Sequence, residues 1–357
     1  MAAAEQQTRD TGGAPVIDWT MAASVARRLV GSGPDVPVQE AVTAVRRLRA
    51  LAATAEGHVR ELTGLGGGLP MLPGDVVDRA GWVQAATDGL AVLTSTTLDA
   101  SITPSRVASG AAGVQAGLAL GYLGSRVLGQ YDPFGGGTDG QPGPGRLLLV
   151  APNIVAVQHA LGVPAEDFRL WVCLHEATHR LQFTGVPWLR DHFAALVGTF
   201  LSTMDTTASR LFDRLPDALR AARRESGRPD AVGLIAYLQA PEQRDAMTKL
   251  LALATLLEGH ADHVMDAVGP QVVPSVATIR TRFSARRRGG GVLDRLLRAL
   301  LGVDAKIRQY AKGSAFTRHV IDAAGMDGFN AVWTSPQTLP TRREIDEPSE
   351  WLRRVRP

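Results

Sequence analysis

The sequence predicts a mainly α-helical fold with a minor β component (mainly α, α+β), and three observations indicate it. Apolar residues recur at the three- and four-residue steps of a helix in several segments, at 19–51, 76–93 and 107–123. Two further segments with helical periodicity, 164–185 and 247–265, carry histidines and carboxylates among their apolar residues. Arg146–Val150 has the short apolar run of a strand, although a buried helix segment fits the same run.

The segment 164–185 has the signals of a complete helix. Pro164 stands where a helix can begin, Glu166 and Asp167 favour the positive end of the helix dipole, and Gly185 with Pro187 ends the helix. One face of this helix contains Phe168, Val172, His175, His179 and the pair Gln182/Phe183. We therefore expect the two histidines to face inward with the apolar residues.

Residues 175–179 read His-Glu-Ala-Thr-His, which is the H-E-x-x-H pattern of zinc hydrolases. Side chains at i and i+4 lie on one face of a helix, so the imidazoles of His175 and His179 can reach one metal ion. Glu176 points elsewhere, and we expect it to act as the general base that takes a proton from a metal-bound water. The pattern predicts a Zn²⁺ cofactor; two core histidines satisfied by hydrogen bonds are the alternative.

A catalytic zinc ion needs a third protein ligand and an open fourth position, and Glu258 is the best candidate for that ligand. It lies in the apolar run 247–265. Its predicted face also contains Met247, Leu250, Leu251, Ala254, Ala261 and Met265. Because an unpaired buried carboxylate is costly, a cation would stabilise Glu258 there. A carboxylate on the helix surface is the alternative.

Three other side chains near Glu258 are candidates for the same site. Asp262, one helical turn further on, is expected to accept the free N–H of a ligand histidine. His260 and His263 compete with Glu258 as zinc ligands. Helical geometry places both histidines away from the apolar face, so we expect them to point outward.

These motifs resemble a known group of proteins. The H-E-x-x-H helix followed by Glu258-x-x-x-Asp262 resembles the gluzincin arrangement of two histidines, one glutamate and a supporting aspartate. More closely, DFR at 167–169, WVCL at 171–174 leading into His175, and LEGHADHVMD at 257–266 resemble an actinobacterial zincin-like family of metallopeptidases, which is associated with deazaflavin-cofactor biosynthesis. Further similar segments are 187–190, 329–333 and 339–341, and the resemblance extends over residues 18–351.

The resemblance implies a zincin-like core in which the H-E-x-x-H helix and a second, Glu-bearing helix hold the metal. It implies that His175, His179 and Glu258 are ligands and that Glu176 is the base, but it implies no known substrate. Arg180 departs from the usual zincin pattern, which has an uncharged residue after the second histidine. We expect a zinc metallopeptidase that hydrolyses a peptide or amide bond. A non-catalytic scaffold or partner in a deazaflavin-cofactor pathway, and a small-molecule metal hydrolase, are the alternatives.

The residues that would bind and stabilise the substrate are less clearly indicated. Tyr310 and His319 follow the second metal helix and are candidates to stabilise the transition state, with structural roles as the alternative. Arg280 and Arg282 are candidates to anchor an anionic group of the substrate. The strand Arg146–Val150 is either a shelf for an extended substrate or an ordinary buried strand.

Glycine and proline suggest how the chain is organised. We expect a loose N-terminal tail at 1–15, a helical region at 16–134, a Gly/Pro-rich linker at 135–145, the zincin-like metal-binding domain at 146–345 and a C-terminal tail at 346–357. The charged segment 204–243 is expected to cap the cleft. The arginine and glycine run 286–291 is expected to be a solvated loop.

Composition narrows the classes of partner and compartment. The chain has 38 basic and 35 acidic residues, and the resulting net charge of +3 is too small to indicate a nucleic-acid-binding protein. The single cysteine, Cys173, is expected to be a buried small residue, and a cytoplasmic location is the simplest. We expect 107–123 to be a packed helix without a membrane role. The expected partner is a peptide or amide substrate; no further cofactor and no oligomeric state is indicated.

Overall fold

The chain is described by a computed structural model covering residues 15–97, 105–137, 143–202, 241–288 and 303–356. Helices predominate in these residues, and the strands among them form one small sheet. The predicted mainly α fold with a minor β component is therefore confirmed. The expected N-terminal tail lies outside the described residues except for Pro15, and so does the expected cap except for 241–243.

Strands occur only in the first half of the described chain, interspersed with helices, and helices make up the second half. The first half contains α1 (Trp19–Leu29), α2 (Val38–Thr63), β1 (Asp75–Val77), α3 (Arg79–Thr97), α4 (Arg106–Gly124), β2 (Gly129–Asp132) and β3 (Arg146–Val150). The second half contains α5 (Ala151–Leu161), α6 (Ala165–Gly185), α7 (Leu189–Ser202), α8 (Pro241–Ala267), α9 (Gly269–Val272), α10 (Val276–Arg288), α11 (Val303–Phe329), α12 (Arg342–Asp346) and α13 (Pro348–Val355). Two 3₁₀ turns, Asn330–Trp333 and Pro336–Thr338, connect α11 to α12.

Strand β3 is the centre of the sheet and separates two apolar cores. It pairs in parallel with β1 and antiparallel with β2, so both of its edges are occupied. Because successive side chains of a strand point to opposite faces, Leu147 and Leu149 enter the core around α2 and α6. Leu148 and Val150 enter the core formed with α1, α3 and α4. The prediction of a strand is confirmed, but a central strand cannot offer an edge to a substrate.

The Gly/Pro-rich segment 135–145 connects β2 to β3 within this sheet. The two strands are antiparallel neighbours, with Asp132 opposite Arg146, so the described parts of the segment belong to a hairpin. Helix α2 precedes this hairpin, yet its Leu48 and Val59 belong to the same core as Leu174 of α6. The regions expected to lie on either side of a linker therefore share one core.

Helix α4 covers residues 107–123, which were expected to form a packed helix without a membrane role. Glycines 113, 117 and 121 of α4 lie against the backbone and β-carbons of α1, and a side chain at Gly117 would come within 2.7 Å of a carbonyl oxygen of α1. Small residues thus permit close packing of these two helices. Among the described residues, no helix has the length and apolar content that crossing a membrane requires.

Helix α8 departs from the predicted pattern of burial. Ala254, predicted to be in the core, is exposed, whereas His260, predicted to point outward, is fully buried. The reason is that α6, α7 and α11 all pack against α8, so its burial is not restricted to one apolar stripe.

The end of the chain also differs from the expected tail at 346–357. Its described part includes helix α13, which buries Trp351 completely in the main core. The Trp351 indole donates to the carbonyl oxygen of Thr338, and Arg354 pairs with Glu344 of α12. A buried tryptophan therefore anchors the segment that was expected to be a C-terminal tail.

Candidate metal centre

Helix α6 places His175 and His179 side by side, as its local sequence predicts. It begins after Pro164, and Asp167 in its first turn accepts hydrogen bonds from the backbone N–H and the hydroxyl of Ser275. The two imidazole rings are perpendicular, with centroids 4.6 Å apart and Nε2 atoms 3.1 Å apart. Both Nε2 atoms therefore face the same point in space.

Helix α8 brings Glu258 to that point. Its Oε2 lies 3.4 Å from Nε2 of His175 and 3.9 Å from Nε2 of His179. Glu258 is followed by Gly259, where a β-carbon would come within 2.1 Å of the Gly313 backbone in α11. Gly259 and Gly313 thus allow α8 and α11 to pack closely next to the Glu258 carboxylate.

The three side chains fit a tetrahedral zinc ion. Donor atoms at the usual zinc distances of about 2.0–2.1 Å and tetrahedral angles lie about 3.3 Å from one another. The observed separations are 3.1, 3.4 and 3.9 Å, and the cluster is a candidate to hold a metal ion. Burial lowers the pKa of His175, but Glu258, Glu176 and Asp262 raise it to a value above the ordinary one. This negative surrounding also favours a cation.

Glu176 lies beside the cluster and against strand β2. Its side chain is 5% exposed, and a β-carbon at Gly129 would come within 2.5 Å of its Cγ. Burial raises the pKa of Glu176 to about 7, with an opposing effect of His175 and a further rise from Glu258. The carboxylate is thus a base of near-neutral pKa, and only a residue without a side chain fits opposite it. An isolated glycine in a strand is a signal of such close approach, which the sequence reasoning missed.

Gln182 orients His179, a role that the sequence reasoning did not assign to it. The Gln182 amide is fully buried, and its Nε2 donates to the carbonyl oxygen of Leu257 and lies 3.0 Å from Nδ1 of His260. Its Oε1 is then the acceptor for Nδ1 of His179, at 2.9 Å. This bond leaves the lone pair of His179 Nε2 directed at the cluster. A signal was available, since Gln182 follows the histidines on their own helix face.

His260 completes this buried network and is not part of the metal cluster. Burial, together with the charges of His263 and His179, lowers the pKa of His260 to about 3, so the ring is neutral and can accept from Gln182. Its ring packs against Phe329 and Trp333, with centroids 4.9 and 5.6 Å away. The reason for rejecting His260 as a ligand was wrong, because it points inward, but its Nδ1 is directed at Gln182. His263 is partly buried and likewise stands outside the three-residue cluster.

Asp262 is paired differently from the expectation. Its Oδ1 lies 3.1 Å from Nη1 of Arg280, whereas Nδ1 of His175 lies 3.2 Å from Sδ of Met265. The guanidinium of Arg280 thus replaces the expected histidine N–H, because α10 packs close to the end of α8. Asp262 still acts on His175 through its charge.

The residues suggested for substrate binding have other contacts. Arg280 is held by Asp262 and Asp266, and Arg282 donates to the carbonyl oxygens of Leu161 and Gly162, so both arginines tie the described helices together. His319 is exposed and lies 3.4 Å from the Ser349 hydroxyl in α13. The Tyr310 side chain lies outside the described residues, although its backbone is in α11.

Arg180 and Cys173 are structural residues of α6. The Arg180 side chain is 3% exposed, pairs with the buried carboxylate of Glu56 at 2.8 Å, and donates to the carbonyl oxygens of Leu72 and Pro73. Arg180, which departs from the usual zincin pattern, is therefore neutralised by a carboxylate of α2. Cys173 is buried as predicted, and burial raises the pKa of its thiol.

Comparisons with known proteins agree with this geometry. The sequence model of the zincin-like metallopeptidase family matches residues 17–352. A crystal structure from Chloroflexus aurantiacus, provisionally described as a hydrolase with a novel fold, is similar over 95% of this chain and 98% of that one, with 30% identity and a TM-score of 0.64. No curated protein sequence matches the chain. The family match spans both helices that carry the cluster, and the chain therefore belongs to the zincin-like metallopeptidase family.

Proposed function

We propose that the protein is a zinc-dependent metallopeptidase that hydrolyses a peptide or amide bond at the cluster of His175, His179 and Glu258. The observation that carries the proposal is the convergence of these three donor atoms, all within 4.8 Å of one another, beside the buried carboxylate of Glu176. Membership of the family supports a metal-dependent hydrolase. The peptide or amide specificity, the zinc ion and the role of each residue are our proposal.

The coordination that we propose has three protein ligands and leaves a fourth position open. Asp262 and His260 are candidates for a fourth ligand that would close it. Asp262 is paired with Arg280, and His260 accepts a hydrogen bond from Gln182. These contacts support a catalytic site over a closed structural one, since a structural zinc ion needs four protein ligands. They therefore favour an enzyme over the non-catalytic scaffold.

Glu176 is the proposed general base. A bound zinc ion supplies a Lewis acid that polarises the scissile carbonyl and makes a water molecule more acidic. Glu176 then accepts the proton of the attacking water at its carboxylate and passes it to the leaving amine. A carboxylate with a pKa of about 7 suits both steps, because it can gain and lose a proton near neutral pH.

Strand β2 is the proposed position of an extended substrate. It pairs with β3 on one side and, in the described part of the chain, with no strand on the other. Its Gly129 packs directly against Glu176, so a peptide added along the open edge would pass the proposed base. We therefore assign the role of substrate shelf to β2 and withdraw it from β3, whose two edges are paired.

Four further features belong to the proposal. An actinobacterial origin and an association with deazaflavin-cofactor biosynthesis rest on the resemblance alone. A cytoplasmic location rests on the single, buried cysteine. Transition-state stabilisation by Tyr310 is a proposal from sequence position, whereas the contact of His319 with Ser349 favours a structural role for that histidine.

The Glu176→Gln variant tests the proposed mechanism. The amide keeps the shape of the side chain but cannot accept a proton, so we expect zinc binding to be retained and turnover of a peptide library to be lost. The matched control is Glu61→Gln, because Glu61 is an exposed carboxylate of α2. Full hydrolysis by Glu176→Gln would contradict the assignment. Turnover of acylated metabolites without turnover of peptides would identify a small-molecule hydrolase instead.

A further inference from the structure

A cavity lies beside α6, the helix that carries His175 and His179. It has a volume of about 320 Å³, within the range of about 300–1,000 Å³ that is usual for ligand pockets. Its walls come from α2, the segment after α2, strand β2, the second half of α6 and the start of α7. Arg180 and Phe183 in its wall lie one helical turn after Glu176 and His179, so the cavity lies directly beside the cluster along α6.

Positive charge dominates the wall of this cavity. Arg60, Arg180 and Arg190 face it, and the carboxylate among its lining residues is that of Glu56. Glu56 is shared, since its Oε1 accepts from Arg60 at 2.6 Å and its Oε2 from Arg180 at 2.8 Å. Three guanidinium groups and one carboxylate give these lining residues a formal charge of +2. Because Glu56 already serves two arginines, no second carboxylate among the described lining residues pairs with Arg190. The buried carboxylate of Asp132, outside these lining residues, interacts with Arg190 through its charge.

Two arginine nitrogens in the wall are buried hydrogen-bond donors without an acceptor among the described residues. They are Nε of Arg180, whose side chain is only 3% exposed, and Nη2 of Arg190. The guanidinium carbon of Arg190 lies 5.4 Å from the centroid of the Phe134 ring. Buried donors are expected to be satisfied, and no acceptor for these two lies among the described residues.

The rest of the wall is mostly apolar, with the hydroxyls of Tyr131 and Thr184. Phe183 packs against the Tyr131 ring with centroids 6.0 Å apart, and several prolines complete the surface. The Tyr131 hydroxyl donates to the Pro144 carbonyl oxygen at a long 3.4 Å. Burial raises the pKa of Tyr131 to about 12, against the opposing effect of Arg180 and Arg190, so the hydroxyl keeps its proton and remains a donor. The cavity thus offers cationic donors on one side and apolar surface on the other.

We propose that this cavity binds a small organic carboxylate whose remaining part is apolar, with the carboxylate at Arg190, Arg180 and the Tyr131 hydroxyl, and the apolar part against the rings of Phe183 and Tyr131. A carboxylate brings acceptors and a negative charge to the arginine side of the cavity in one group. A neutral ligand supplies no charge, and a fully hydrated inorganic anion makes no use of the apolar wall. The proposal concerns binding alone and does not depend on metal chemistry.

Isothermal titration of the full chain, as purified, with 3-phenylpropanoate and with its neutral amide tests the proposal. We expect saturable binding of the carboxylate and at least about tenfold weaker binding of the amide, because hydrogen bonds to charged groups are worth that much or more. Arg190→Gln should weaken carboxylate binding by a similar factor. Tyr131→Phe, which keeps the ring contact with Phe183, should weaken it by a smaller factor. The matched control is Arg353→Gln, at an exposed arginine of α13, which should bind as the wild type does.

Four results would overturn the proposal. They are the absence of saturable carboxylate binding, equal affinity for the acid and the amide, unchanged affinity in both Arg190→Gln and Tyr131→Phe, and tighter binding of inorganic phosphate than of the apolar carboxylate. The third result would also place the carboxylate elsewhere, including at a zinc ion held by the cluster. Because Tyr131→Phe removes only a hydroxyl, it remains informative if Arg190→Gln fails to fold.

Discussion

Replacing Gln182 by methionine tests whether the buried amide orients a metal ligand. Methionine has a similar length and shape, so the change removes the polar atoms and leaves most of the packing. The amide contacts three groups, at 2.9 Å from His179 Nδ1 and 3.0 Å from both Leu257 O and His260 Nδ1. The Leu257 carbonyl lies inside helix α8, where it can keep its helical hydrogen bond, so two imidazole nitrogens lose their partner.

The expected loss follows from these two nitrogens. Each buried polar group left unsatisfied costs about 1–3 kcal/mol, which gives a decrease of about 2–6 kcal/mol in the free energy of unfolding. Loss of a partner behind a ligand histidine typically weakens metal binding about 10- to 100-fold. Urea unfolding measures the first quantity, and competition for zinc with a chromophoric chelator measures the second.

The control for this variant is Gln158→Met. The Gln158 amide donates to the Val163 carbonyl oxygen in a partly buried contact outside the metal cluster, so its loss should reduce stability slightly and leave zinc affinity unchanged. If Gln182→Met binds zinc as tightly as the wild type, the amide does not position His179. If both variants weaken zinc binding equally, the effect is not specific to the network.

Three further predictions concern two glycines and a buried carboxylate. Gly129→Ala should displace Glu176, because the new methyl carbon would lie 2.5 Å from its Cγ, and should abolish most turnover in a peptide-cleavage assay while zinc content is kept. Gly259→Ala places a carbon 2.1 Å from the Gly313 backbone, so helix α8 must move and the unfolding free energy should fall by at least about 1–3 kcal/mol in urea titration. Asp132→Asn should stabilise the protein at neutral pH. Burial raises the pKa of Asp132 above its value in the unfolded chain, although nearby N–H groups and arginines oppose this rise. The protonated carboxyl therefore stabilises the fold at low pH, and this contribution to the free energy of unfolding is lost as the pH rises through the folded pKa. Thermal melts from acid to neutral pH should therefore show the advantage of the asparagine growing with pH.

Gly57→Ala is the control for both glycine variants, because a β-carbon at Gly57 meets nothing within 4 Å. It lies inside α2, where alanine should raise the unfolding free energy by about 0.5–1 kcal/mol. Wild-type turnover by Gly129→Ala, or wild-type stability of Gly259→Ala, would contradict the close contacts. A constant difference between Asp132→Asn and the wild type over the whole pH range would contradict a raised pKa for Asp132.

The local parts of the site could be predicted from sequence because their geometry is set within one helix. Pro164, the acidic first turn and Gly185 define α6, and the i, i+4 spacing of His175 and His179 fixes their common face. Glu258 could be singled out because a carboxylate in an apolar helix needs a partner, and α8 does bring it to the histidines.

The remaining parts depend on packing between distant segments, which periodicity does not encode. His260 is buried because several helices enclose α8, and Asp262 meets Arg280 because α10 folds back on the end of α8. The pairing of β2 with β3 placed Gly129 against Glu176, yet a four-residue strand before a glycine-rich segment gave little sign of that contact. The burial of Trp351 likewise depends on a core built by residues far away in the chain.

The most direct test of the central claim is the zinc content of the protein purified without chelators or added metal, measured by plasma mass spectrometry alongside Glu258→Ala and the surface control Glu61→Ala. The converging donor atoms of His175, His179 and Glu258 predict about one zinc ion per chain in the wild type and the control, and its loss in Glu258→Ala. Wild-type protein that holds no zinc even after equilibration with the metal, or Glu258→Ala that holds it as tightly as the wild type, would contradict the three-ligand site.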